Sequence, residues 1–281
     1  MSLAGINISN VNALTNAGWI DASAGDLSIQ VNGALISTGG YIGSHQGAVS
    51  LNAGATLNLT STNVGSETGT LTLNGPIVAL QSVSQIYGKE IVVDGDTLLI
   101  GKDAHLGLHD TLSQNGSANI YPGKVTINSS KLTINATESE EKGSGVDGTD
   151  IVFNGSSITM NGDRAHISGS GVVTLGSNED DKLISIKAET GGDITGNNVK
   201  LNAHEAIFNQ KSTVSGTTGV EIHAPTLVVD NGSSVSSLSG SDDFSAKQRR
   251  RGRGALNSTR SGFGWFCWKN PGRFRFNWFG K

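Results

Sequence analysis

The chain has 281 residues, of which 36% are hydrophobic, with 39 glycines, 4 prolines, a single cysteine and a formal net charge of −4. The lone Cys267 rules out an intramolecular disulfide, and no run of 18 or more apolar residues offers a membrane-spanning helix. Gly, Ser, Thr and Asn are frequent enough to suggest disorder, but the apolar residues recur periodically, so an ordered fold is expected.

Met1 to Gly5 carries no basic region followed by an apolar run, so no signal peptide is expected, and if the protein is exported the chain is expected to be an internal fragment or a remnant without its leader. Ile6-Asn7-Ile8 and Trp19-Ile20 begin an apolar-polar alternation that becomes regular at Leu27-Ser28-Ile29-Gln30-Val31. The clearest stretch is Val49-Ser50-Leu51-Asn52-Ala53-Gly54-Ala55-Thr56-Leu57-Asn58-Leu59-Thr60, two alternating strands joined by a corner. The same pattern returns at Leu71, Ile91, Val125, Ile151, Val199 and Val220. Steps of 22 residues from Leu27 to Val49, 22 to Leu71, 20 to Ile91, and 21 from Val199 to Val220 predict an all-β solenoid of the parallel β-helix kind, with about 20–22 residues per coil. One coil has no core of its own; it must cover the apolar side of its neighbour.

An amide or acid follows the second apolar residue of each triplet: Asn52, Asn74, Asp94, Asn128, Asn154 and Asn202, with Asn32 at the equivalent place. Asn and Asp tolerate a left-handed bend, so these positions are expected at corners, and stacked copies can hydrogen-bond as a ladder. They read equally well as ordinary polar turn residues, and in neither case do they form a ligand site. The repeat is broken at residues 101–124, 138–150 and 176–182, which are expected to emerge as loops, with 138–150 the candidate receptor contact.

Charge divides the chain sharply. Residues 1–246 hold 10 of the 20 basic residues and all 24 acids, whereas 247–281 hold 10 basic residues and no acid. The expected division is a β-helix shaft over 1–246 and a disordered, basic, aromatic-rich tail over 247–281. The tail carries Arg249, Arg250, Arg251 and Arg253 ahead of 8 of the chain's 15 aromatic residues. Arginine with interleaved aromatics can contact nucleic acid or an anionic membrane. The abrupt loss of acids and of the repeat favours instead a non-native carboxy terminus, such as a frameshift produces, and no nucleic-acid partner is expected.

Chemistry is sparse. Glycoside hydrolysis needs two carboxylates across a groove, and the close pairs Asp94 with Asp96, Asp147 with Asp150, and Asp180 with Asp181 lack neighbouring basic clusters. Residues 143–151 resemble one glycine-rich calcium-binding nonapeptide, but such sites share ions between tandem copies. The six histidines (45, 105, 109, 166, 204 and 223) are scattered, and His105 with His109 forms no chelating pair on a strand. No phosphate loop or Gly-x-Ser-x-Gly elbow occurs. The chain is therefore expected to be no enzyme, with no catalytic, cofactor or metal residues and no small-molecule substrate.

Gly47-Ala48-Val49-Ser50-Leu51-Asn52-Ala53-Gly54, Gly191-Gly192-Asp193-Ile194, Val199-Lys200-Leu201-Asn202-Ala203 and Gly25-Asp26-Leu27-Ser28-Ile29 resemble the repeats of filamentous-haemagglutinin-like adhesins of two-partner secretion, a class that includes contact-dependent inhibition exoproteins. The resemblance covers roughly residues 3–240. It implies a long right-handed β-helix, export through an outer-membrane partner transporter, a secreted or cell-surface location, and adhesion to a receptor or glycan on host or neighbouring bacterial cells. The alternative is a carbohydrate-active β-helix, as in polysaccharide lyases, hydrolases or phage tail spikes.

Overall fold

The structure, a computed structural model, describes residues 5–107, 123–137, 143–176, 185–188, 190–230, 232–239, 241–245, 248–249 and 255–258. Every regular element among them is a β-strand, and the strands pair in parallel with their counterparts one coil later. The expected all-β solenoid is the observed fold.

Each coil has three faces, here termed A, B and C in chain order. Face A stacks Leu27 on Val49, Leu71, Ile91, Val125, Ile151, Val173, Val199 and Val220, and two residues along it stacks Ile29, Leu51, Leu73, Val93, Ile127, Phe153, Leu175, Leu201 and Ile222. Face B runs through Leu35, Leu57, Val78, Leu98, Leu132, Ile158, Ile186 and Ala206. Face C runs through Ile42, Val64, Ile86, Leu106, Val146, Ile167, Ile194 and Val214. All of these side chains are buried and form one continuous apolar column. The two-residue side-chain period of a strand sends alternate residues inward, and parallel pairing repeats that choice at every coil.

Most of the left-handed residues sit at the corner between faces B and C, among them Gly39, Gly40, Ser61, Ser82, Val83, Asp103, Gly162, Gln210, Lys211 and Gly232, while Asn10, Ser23, Gly107 and Gly176 have positive φ elsewhere. This corrects the expected role of the amide positions, none of which has a positive φ. Asn52, Asn74, Asp94 and Asn128 lie within strands on face A, in register with Gln30 rather than with Asn32. The face A to face B turn takes a positive φ at Gly176 but at none of these amides, so their conformational tolerance is not what makes the turn. Some of the amides hydrogen-bond along the stack: Asn128 Nδ2 donates to Asp94 Oδ1 at 2.6 Å, and Asn154 Nδ2 to Asn128 Oδ1 at 2.9 Å, whereas Asn52 Nδ2 donates to Ser50 Oγ of its own strand at 2.9 Å. Asn202 Nδ2 donates to the Gly176 carbonyl at 3.3 Å.

Two more expectations are corrected. Residues 138–150 were expected to be a surface loop, yet Ser144–Gly148 is a face C strand buried along its whole length, and residues 138–142 lie outside the described residues. Its one large apolar residue, Val146, is too little for alternation to be visible in the sequence. Residues 101–124 likewise supply a two-residue face C strand, His105–Leu106. The shaft was also expected to end at residue 246, but parallel pairing continues through Gln248–Arg249 and Ala255–Ser258. Backbone groups alone suffice for such pairing. Arg249 thus stands in a strand opposite Leu227, while Arg250, Arg251, Arg253 and the aromatic segment lie outside the described residues, as do most of residues 176–182.

Candidate functional site

The inward column is apolar, so any chemistry must come from outward positions brought together by register. On face C, His105, Gly145 and His166 occupy one register position on three successive strands, His105–Leu106, Ser144–Gly148 and Ala165–Gly169. Strands stack about 4.8 Å apart, so the two histidine backbones are two rungs apart with a glycine between them. A Cβ at Gly145 would lie 2.6 Å from His166 Cδ2 and 2.7 Å from its Nε2, so only glycine leaves room for that ring. The imidazoles lean over this gap with ring centroids 5.5 Å apart and planes tilted by 41°.

Asp147 lies two residues beyond Gly145 and on the same side of the strand. Its Oδ2 is 3.2 Å from His105 Nδ1 and 3.2 Å from His166 Nε2. The three side chains are only 6%, 7% and 13% exposed for His105, Asp147 and His166. His166 Nδ1 donates to the Arg164 carbonyl at 3.2 Å, which leaves Nε2 as the nitrogen that faces Asp147. Burial opposes charge on His166, but the hydrogen bond and charge of Asp147, helped by the Arg164 carbonyl, outweigh it and hold the ring above the usual imidazole pKa. On the next strand Asp193 pairs in register with His166, and burial raises its carboxyl against the opposing hydrogen bond of Thr213 and charge of His166. The arrangement can hold a proton between two imidazoles and a carboxylate, or hold a metal ion through Nδ1, Nε2 and Oδ2. Among the described residues these are the one group of three or more His, Cys, Asp or Glu residues whose donor atoms lie within 4.8 Å of each other.

The other acid pairs are engaged structurally. Asp94 accepts from Asn128, and Asp150 Oδ1 accepts from the Val172 amide at 2.7 Å. His45 bridges Asp21 at 3.8 Å and Glu67 at 2.7 Å on exposed surface. Asp180 and Asp181 lie outside the described residues.

Sequence reading missed the His105, Asp147 and His166 group. A partial signal was present: Asp147 and His166 are 19 residues apart, one coil less two residues, which makes them diagonal neighbours on one face. His105 gave none, because 42 residues separate it from Asp147 while the strands that hold them are directly paired. Comparison with known proteins gives no match to any family model, any curated protein or any solved structure.

Proposed function

We propose that this chain is a segment of a rigid adhesive shaft, of the filamentous-haemagglutinin kind, that works by presenting surface and carries out no catalysis. One observation carries the reading: a continuous apolar column fills the inside of the solenoid while Ser, Thr, Asn and Gln in register form much of its outside, as in Ser28 on Ser50 on Thr72 and Gln30 on Asn52 on Asn74. Such a body is stiff along its axis because every backbone ladder runs from coil to coil. In this reading the full-length protein is exported through an outer-membrane partner and the shaft engages a receptor or glycan on host or neighbouring bacterial cells.

The carbohydrate-active alternative has its own support. Trp19 is 79% exposed on face C, its ring centroid 5.5 Å from that of Tyr41 and tilted 48° to it, with Tyr41 in turn over the column of Asp21 and Gly43. An exposed aromatic beside acids suits a sugar ring. Labelled full-length chain should bind cultured epithelial cells or bacteria saturably, and an array of glycans should reveal retention that Trp19→Ala weakens. Release of reducing ends from bound polysaccharide would replace the adhesive reading with the enzymatic one, and absence of binding to every cell and glycan would remove both.

A further inference from the structure

We propose that His105, Asp147 and His166 form a binding site for a divalent transition-metal ion of the zinc class, which clips three neighbouring coils together on face C. The donor set is two imidazole nitrogens and one carboxylate oxygen, a combination that zinc takes and that calcium or magnesium, which prefer oxygen, do not. In a tetrahedral zinc site with bonds of about 2.0 Å, donor atoms are about 3.3 Å apart. Two of the three edges here are 3.2 Å, from Asp147 Oδ2 to each ring nitrogen. The third lies within 4.8 Å, so loading draws the two rings together by at most about 1.5 Å, which side-chain rotation supplies.

Three further features fit an ion. The Arg164 carbonyl takes the Nδ1 proton of His166 and so aims the other nitrogen inward, the usual outer-shell device for fixing a ligating histidine. Gly145 clears the space between the rings, and all three donors are largely withdrawn from solvent. The placement also has a mechanical sense. Face A register advances by 34 residues from Ile91 to Val125 and by 26 from Val125 to Ile151, the largest departure from the 20–22 of the earlier coils, and here the face C strand shrinks to His105–Leu106. An ion held by residues from three successive face C strands reinforces the stack where its backbone ladder is shortest.

On loading, the ion takes the place of any proton on the two ligating nitrogens, and that proton leaves to solvent. The test uses the full-length chain freed of metal with a chelator. Isothermal titration with Zn2+ should give one saturable site per chain and a thermal midpoint that rises with Zn2+. His105→Gln, Asp147→Asn and His166→Gln should each weaken binding at least tenfold and remove that rise, while His223→Gln leaves both unchanged. Should those variants fail to fold, Co2+ added to the unaltered chain decides: intense visible absorption of a four-coordinate ion with nitrogen ligands supports the site. Weak absorption of a hexa-aquo kind, no saturable Zn2+ uptake, or uptake indifferent to Asp147→Asn and His166→Gln overturns it.

Discussion

Val83 has φ of 58° at the corner between faces B and C and is 60% exposed, an unusual station for a β-branched residue. The left-handed region costs an L-residue with a Cβ about 1–2 kcal/mol, and glycine occupies it without that cost. Val83→Gly is therefore expected to stabilise the protein by about 1 kcal/mol once glycine's extra chain entropy is subtracted, as read from chemical denaturation. Charge at the residue scale is modest. Glu221 contacts His223 Nε2 at 2.6 Å and Lys200 Nζ at 3.7 Å. The His223 hydrogen bond, opposed by partial burial and aided by the His223 and Lys200 charges, holds its carboxyl below the ordinary glutamate range. A lowered acid pKa stabilises the fold above the unfolded-state value, and that contribution fades as pH falls through the folded value. The side chain is 39% exposed, so solvent screens the effect and titration is the better readout. A 13C NMR titration should place the Glu221 midpoint below that of an unperturbed glutamate, and His223→Gln should move it back up.

At the scale of the strand and its corner, buried hydroxyl groups supply hydrogen bonds that hold the turns. Ser37, Thr62 and Ser84 are fully buried at the corner between faces B and C, where Thr62 Oγ1 donates to Ser37 Oγ at 3.1 Å and the Thr62 amide to Ser84 Oγ at 3.3 Å. Ser84 Oγ in turn donates to the Leu59 carbonyl at 2.9 Å. Ser44 and Ser66 close the next corner by donating to the carbonyls of Gly25 and Gly47 at 2.7 and 2.8 Å. Ser84→Ala strands the buried Thr62 amide and should cost about 1–3 kcal/mol in equilibrium denaturation. The outward Ser28→Ala should stay within about 0.5 kcal/mol in the same assay. The corner serines were invisible in the sequence because serine is common everywhere in this chain and its inward aim depends on the bend. Ser144–Gly148 was missed for a related reason: glycine and aspartate carry no apolar period, and that strand is buried by its place in the stack.

The whole molecule is a one-dimensional stack in which each coil meets only the ones before and after it. Deleting residues 49–70 removes one register step, since Leu27 pairs with Val49 and Val49 with Leu71. The shortened chain should keep its β-sheet circular dichroism and still melt cooperatively, whereas a deletion of half that length, residues 49–59, puts the following strands out of phase and should abolish both. The same logic explains why pairing extends past residue 246 although the apolar triplets have ended: the last full coil offers free backbone edges to any extended segment that follows. The sequence by itself determined the solenoid, its period and its apolar interior, because a two-residue alternation repeated about every 21 residues has few other ways to bury its apolar side. Only the tertiary structure decided that His105, Asp147 and His166 meet. Their contact depends on face C steps of 40 residues from His105 to Gly145 and 21 from Gly145 to His166, and such lengths are set by how the chain closes each turn rather than by any local pattern of side chains.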